Sequence, residues 1–329
     1  MTTIADQILE LLKAEFGQEV SSAAICSRCG VTRAAVWKWI ERLRASGYVI
    51  EARSRRGYRL VSSPDTPSQT EVSLALTTKR IGREFRYREV TGSTNRDAMA
   101  LISQGVPDGT VVVAGEQTSG RGRMTRHWFS PPGKNLYFSL VLRPLVEFSR
   151  AASMPLVVGL AVAESLASLV PELDGDIRIK WPNDILIGGK KICGILCELQ
   201  AEEGNVVAIV PGIGVNVNLA REEFPEDLRT IATALQAEAG HPFSRSTVLA
   251  AILNRLEPLY DTWMREGLSP LLAGIERRDA LAGRQLTIDR LGHLTSGVAE
   301  GIQEDGALRL RTADGIVPIY SGEAHILRG

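Results

Sequence analysis

At 329 residues the chain is long enough for two or three domains, and 44% hydrophobic against 23% charged residues is the ordinary balance of a globular protein with a core. Its 38 basic and 38 acidic side chains cancel, which excludes an overall polycation, so any affinity for nucleic acid must come from local asymmetry. No apolar run approaches the ~20 residues of a membrane span, and the opening MTTIADQILELLK lacks a signal peptide's charged start and apolar block. The expected compartment is the cytoplasm, where the four cysteines stay reduced. Cys26 and Cys29 form a C-x-x-C with no second Cys/His pair nearby to complete a zinc site, and Cys193 and Cys197 sit in an apolar run as small hydrophobes.

The first elements read as a DNA-binding module. Ile4, Ile8, Leu11 and Leu12 mark one apolar face of a first helix. Ser21 or Ser22 can cap a short second helix that stops at Gly30, and Thr32 caps a third whose stripe Val36, Ile40, Leu43 runs to Gly47. Two helices joined by a short glycine-containing turn form a helix-turn-helix pattern, and Tyr48–Ile50 with Tyr58–Leu60 resembles the hairpin wing of a winged helix. Between Arg28 and Arg59 nine Lys or Arg stand against Glu41 and Glu51 (28, 33, 38, 42, 44, 53, 55, 56, 59), the local asymmetry that a phosphate backbone requires. Arg33, Trp37 and Lys38 point away from the apolar stripe toward a major groove, and Arg55 and Arg56 lie in the wing.

Residues 63–73, polar with prolines, have the composition of a linker. A strand, Phe85–Val90, then leads into Ser93-Thr94-Asn95 at the start of a helix, where a hydroxyl is ordinarily just an N-cap. The strand GTVVVA feeds Gln117 and the loop GRGRMTRHW, and Asn135–Leu142 leads away from it. Gly120 and Gly122 alternate with Arg121 and Arg123, so backbone N–H groups and guanidinium forks can converge on an anion, although an isolated GRGR also suits a solvated turn. Met154–Val170 reads as a core helix. The strand from Ile177 ends in Lys180-Trp181-Pro182-Asn183-Asp184, Gly188-Gly189 turns a hairpin, and Lys191–Leu199 returns, which puts Lys180 on a rigid hairpin. Val206–Val217 continues the sheet with Asn216 near its end, and a helical tract runs from Ser246 to Glu266. From about Asp279 the chain is short strands and turns, with no catalytic constellation.

Taken together, Ser93-Thr94-Asn95, Gln117, GRGRMTRHW, KWPND and KKICGILCEL in this order resemble the biotin protein ligases, and the amino-terminal module resembles the bifunctional ligase and biotin-operon repressor type. The resemblance implies an α+β multidomain protein. Its parts would be a winged helix-turn-helix domain (1–62), a linker (63–73), a mixed α/β ligase domain with a class II synthetase-like sheet (74–277), and a small SH3-like β-barrel (278–329). It implies an enzyme that joins biotin and ATP, with Mg2+, into biotinyl-5′-adenylate and passes biotin to a lysine of the biotin carboxyl carrier domain of acetyl-CoA carboxylase. With the adenylate bound it would dimerise on operator DNA as a repressor.

By the same resemblance Ser93, Thr94, Asn95, Gln117, Arg121, Gly122, Arg123 and Lys180 bind biotin, with Lys180, Arg121 and Arg123 catalytic. Arg123, Trp128, Asn183 and Asn216 bind nucleotide, and Asp184 contacts magnesium. The usual family loop carries a further Arg-Gly pair where this chain has Met124-Thr125, and threonine restricts the backbone more than glycine. Two other readings remain in view: a biotin-sensing transcription factor without catalysis, and a lipoate or octanoyl transferase relative.

Overall fold

Thr3, Ser21 and Thr32 each accept a hydrogen bond from the backbone N–H three residues on, and each starts a helix. The computed structural model describes residues 3–290 and 292–326. The chain divides into two compact units, 1–75 and 76–329. In the first, α1 (Ile4–Ala14), α2 (Ser22–Cys29) and α3 (Arg33–Ala45) precede an antiparallel hairpin of β1 (Val49–Arg53) and β2 (Gly57–Ser62). Gly30 closes α2 at φ 66°, the left-handed cap that the helix-turn-helix turn needs. Ile8, Leu9, Leu12, Ile25, Val36, Ile40, Leu43, Ile50 and Leu60 form one buried core, with Cys26 and Cys29 packed against it.

The polar stretch expected to be a linker contains a helix, α4 (Gln69–Ser73). Its Glu71 is buried and accepts hydrogen bonds from the Tyr48 hydroxyl and the Lys13 ammonium, so tertiary partners fix a segment whose own periodicity is nil.

The second unit begins with β3 (Phe85–Thr91), α5 (Thr94–Ile102), β4 (Thr110–Gln117), β5 (Leu136–Val141), the short β6 (Val146–Glu147) and α6 (Phe148–Ala151). Then come α7 (Met154–Leu169), β7 (Ile177–Lys180), β8 (Asp184–Ile187), β9 (Lys190–Glu202), β10 (Asn205–Val215), α8 (Leu235–Ala239), α9 (Arg245–Glu266) and α10 (Leu272–Arg277). The sheet runs β3-β4-β5-β10-β9-β8-β7, parallel only at β3/β4, with β6 added on β10. Lys180 and Asp184 face each other in register where β7 turns into β8, so KWPND forms its own hairpin, and the Gly188-Gly189 turn makes a second one with β9. The three strands form a meander where the glycine pair alone suggested a single hairpin.

By length and composition the stretch Phe148–Leu169 could cross a membrane, contrary to the expectation from the sequence; here α7 is the core helix, packed on α9 and on the sheet. Gly159 brings it close to Ile179, Ile185 and Ile195. After α10, β11 (Gln285–Arg290), β12 (His293–Ile302), β13 (Leu308–Thr312), β14 (Gly315–Ile319) and β15 (Glu323–Ile326) form a five-stranded antiparallel sheet in the order β14-β13-β12-β11-β15.

One carboxylate ties the start of this unit to α9. Glu257 accepts from the backbone N–H groups of Lys79 at 2.6 Å, Arg80 at 2.9 Å and Ile81 at 2.7 Å. Burial pushes its carboxyl up, but the three donors outweigh that and hold it below the usual range. Glu257→Gln, which loses the charge and one acceptor, is expected to cost about 1.5–3 kcal/mol at neutral pH. A carboxyl with a depressed folded pKa stabilises above its unfolded value near ~4.3 and loses that contribution as pH falls. Urea melts should therefore show a gap between wild type and variant at pH 7 that closes in acid; a gap unchanged with pH contradicts the assignment.

Candidate functional site

A cavity of about 560 Å³ opens on the second unit, and every residue expected to bind biotin, nucleotide or metal lines it. It collects Ser93, Thr94 and Asn95 from the start of α5, Gln117 from the end of β4, Arg121, Gly122, Arg123 and Trp128 from the basic loop, Lys180, Asn183 and Asp184 from the β7–β8 turn, and Asn216 after β10. Strand ends and a helix start thus converge on one place, where rigid supports carry the polar groups.

Ser93 occupies the N-cap position of α5 yet makes no side-chain cap bond, so the ordinary explanation for a hydroxyl there does not hold. Gln117 Oε1 accepts from Thr94 N–H at 2.9 Å and lies 3.2 Å from Thr94 Oγ1, while its Nε2 donates to Ser130 Oγ at 3.1 Å. Asn95 is engaged inward: its Nδ2 donates to Leu196 O and Glu198 Oε2, and its Oδ1 lies 2.6 Å from Ser139 Oγ. A Cβ on Gly212 would stand 1.8 Å from Asn95 Oδ1, which is why β10 carries glycine there. Asn216 is engaged in the same way, its Nδ2 donating to Thr233 O at 2.9 Å and its Oδ1 accepting from Asn135 Nδ2 at 3.3 Å. These two amides build walls of the cavity.

The basic loop closes on itself through Gly122 N–H to Arg126 O at 2.7 Å and Trp128 N–H to Gly120 O at 3.0 Å. Gly120 is required, because a Cβ there would meet Trp128 O at 2.6 Å. The departure from the usual loop is felt at Met124, which takes φ 53° and ψ 43° in the left-handed region, a conformation that costs a non-glycine residue roughly 1–2 kcal/mol. Arg123 Nη1 donates to Asn183 Oδ1 at 3.2 Å. Burial holds this guanidinium below its ordinary pKa, against the fields of Asp184 and Glu323. Trp128 lies on the sheet over two glycines: a Cβ at Gly214 would stand 2.3 Å from its Nε1, and one at Gly194 would stand 2.9 Å from its ring. Its indole N–H is buried without a protein partner.

Three contributors escaped the sequence reading. Glu323 of β15 lines the cavity and takes Arg126 in a two-pronged ion pair, 2.8 Å at one prong, so the carboxy-terminal sheet reaches the site that its own sequence did not suggest. The Arg126 guanidinium, helped by the fields of His325 and Lys180, holds the Glu323 carboxyl below its usual range against the opposing effect of its partial burial. Lys191 of β9 pairs with Asp184 at 2.7 Å. The third is the apolar segment of Phe224, Leu228 and Ile231, which also lines the cavity.

In the first unit Arg33, Trp37 and Lys38 are exposed on α3, with Trp37 56% accessible, and Arg55 sits at the hairpin tip with φ 63°. The positive face is thinner than the nine-to-two count. Glu19, outside the counted stretch, lies 3.6 Å from Arg53 and 3.5 Å from Arg56, while Arg44 pairs with Glu41 and Arg59 with Glu51. Exposed Arg28, Arg33, Lys38, Arg42 and Arg55 carry the remaining charge, Arg42 lying 4.5 Å from the centre of the Trp39 ring.

A cleft with this cation-rich lining, on a sheet of this order and in a chain that also carries a helix-turn-helix unit, has the chemistry of a ligase that activates a carboxylate. Residues 87–216 match the Biotin/lipoate A/B protein ligase family, 5–59 an HTH domain, and 283–326 the Biotin protein ligase C terminal domain. The bifunctional ligase/repressor BirA of Bacillus subtilis (strain 168) is 38% identical over 326 residues, 99% of each chain. That of Escherichia coli (strain K12) is 31% identical over 312 residues, 95% of this chain and 94% of its own. The biotin protein ligase of Aquifex aeolicus, solved in complex with biotin and ATP, superposes with a TM-score of 0.64 at 31% identity, covering 75% of this chain and 100% of that one. The chain belongs to the biotin protein ligases, in their bifunctional ligase/repressor branch.

Proposed function

We infer that the protein makes biotinyl-5′-adenylate from biotin and ATP, transfers biotin to an acceptor lysine, and with the adenylate bound represses transcription through its helix-turn-helix unit. The observation that carries this reading is the single cavity in which Ser93, Gln117, Arg121, Arg123 and Lys180 meet. Ser93 and Thr94, backed by Gln117, would hold the ureido ring. Lys180 would bridge the biotin carboxylate and the α-phosphate, with Arg121 and Arg123 over the adenylate. Asn95 and Asn216 would act by shaping walls, and Trp128 would border the adenine.

Both steps gather negative charge between carboxylate, phosphate and leaving group, so positioned cations and N–H donors supply the catalysis. Among the described residues no three His, Cys, Asp or Glu gather as a metal cage. Magnesium ordinarily binds through one or two carboxylates together with substrate phosphates, and Asp184 beside Asn183 fits that pattern. Bound with ATP, Mg2+ would add positive charge at the phosphates, held by Asp184. The acceptor would be the biotin carboxyl carrier domain of acetyl-CoA carboxylase, and the compartment the cytoplasm. The edge strand β3, where Val90 is 53% exposed, would join two adenylate-bound subunits on a two-fold operator. The retained Lys180, Arg121 and Arg123 weigh against a sensor without catalysis, and the helix-turn-helix unit against a lipoate or octanoyl transferase.

Arg123→Gly tests the loop as a lid. The variant loses the bond to Asn183 and should release biotinyl-5′-adenylate faster than it loses the ability to make it, seen as untargeted biotinylation of bystander lysines. An intermediate retained as tightly as in the parent contradicts the lid.

A further inference from the structure

Lys191 lies in the KKICGILCEL segment, to which the sequence assigns no site role, yet it lines the same cavity. Its main chain is fixed on both sides: its N–H donates to Ile231 O at 2.8 Å and its carbonyl accepts from Thr233 N–H at 2.9 Å. Its ammonium lies 2.7 Å from Asp184 Oδ1 and 5.3 Å from the centre of the Trp128 ring. Asp184 also sits in the field of Arg123, whose guanidinium bonds the neighbouring Asn183. A bare carboxylate here would repel a polyphosphate. A lysine placed against it on a rigid strand neutralises it and brings a second ammonium, besides Lys180, to this end of the cavity.

We propose that Lys191 binds the β- and γ-phosphates of ATP and stabilises the departing diphosphate, acting in adenylation and not in the transfer to lysine. The inference rests on the ligase reading above. In that step a biotin carboxylate oxygen bonds to the α-phosphorus, and the bond from that phosphorus to the oxygen bridging the β-phosphate breaks. The electron pair stays on the diphosphate and no proton moves. Cations already in place where that charge grows lower the barrier. A lysine that merely oriented Asp184 would behave differently in the following comparison.

The experiment titrates inorganic diphosphate into the full-length protein by calorimetry and sets Lys191→Met, Lys191→Arg and Asp184→Asn beside wild type. Lys191→Met should weaken diphosphate binding by about tenfold or more, the worth of one bond to a charged group. It should cut biotin-dependent diphosphate exchange into ATP by about a hundredfold, while transfer from supplied biotinyl-5′-adenylate falls far less. Lys191→Arg should recover much of the diphosphate binding, and in magnesium-free buffer, where Asp184 has no cation to hold for the phosphates, Asp184→Asn, which releases the lysine, should keep or tighten it. The proposal is overturned if Lys191→Met binds diphosphate like wild type, if it loses exchange and transfer in equal proportion, or if Asp184→Asn reproduces Lys191→Met in every readout. Absence of biotin-dependent exchange in wild type would instead defeat the ligase reading, and the diphosphate titration would still decide for or against Lys191 as a polyphosphate ligand.

Discussion

Lys180→Ala is expected to lower biotin-dependent adenylation by a hundredfold or more, the usual cost of removing one positioned donor, about 3–4 kcal/mol. Lys180 ends β7 in register with Asp184, and a two-strand support holds its backbone whatever its side chain is. The substitution should therefore leave the thermal melt nearly unchanged while diphosphate exchange collapses. Exchange that persists near the wild-type rate would remove Lys180 from the chemistry.

The second large effect concerns DNA. A protein beginning at Leu76 should lose operator binding altogether and keep adenylation, because the cavity lies wholly within residues 76–329. The cut belongs there and not near Pro64, since α4 and its buried Glu71 are part of the first unit. In the full chain Arg33→Ala and Lys38→Ala should each flatten the salt dependence of binding by about one unit if each meets a phosphate. Arg56→Ala should do less, because Glu19 already faces that guanidinium. Fluorescence anisotropy over a salt series reads all of these. Operator binding that survives in the protein starting at Leu76, or equal slopes for all variants, contradicts the assignment.

What the sequence made legible was local. Caps at Ser21 and Thr32, the stop at Gly30 and the stripe Val36, Ile40, Leu43 specify the helix-turn-helix by short-range chemistry, and the structure follows them closely. The GRGR and KWPND segments were readable for the same reason: glycine alternation and a polar interruption between apolar runs mark exceptional backbone.

Long-range pairing escaped. Nothing around Glu323 signals that it meets Arg126, nearly two hundred residues away, and nothing around Glu19 signals that it neutralises part of the wing. Asn95 looked like a ligand group by its place beside Ser93 and Thr94, but its amide is taken by Leu196 and Glu198, partners that only the folded sheet supplies. The sequence points to Thr125 as the residue that restricts the loop backbone, while the left-handed residue is its neighbour Met124, within the short 3₁₀ turn Arg123–Thr125.

The central claim is that this cavity joins a biotin carboxylate to the α-phosphate of ATP. Its most direct test is exchange of labelled diphosphate into ATP by the purified full-length protein, with biotin, with lipoate, and with neither. The account predicts exchange that requires biotin and is not supported by lipoate. Exchange driven by lipoate, or none with biotin while the protein remains folded, would contradict it.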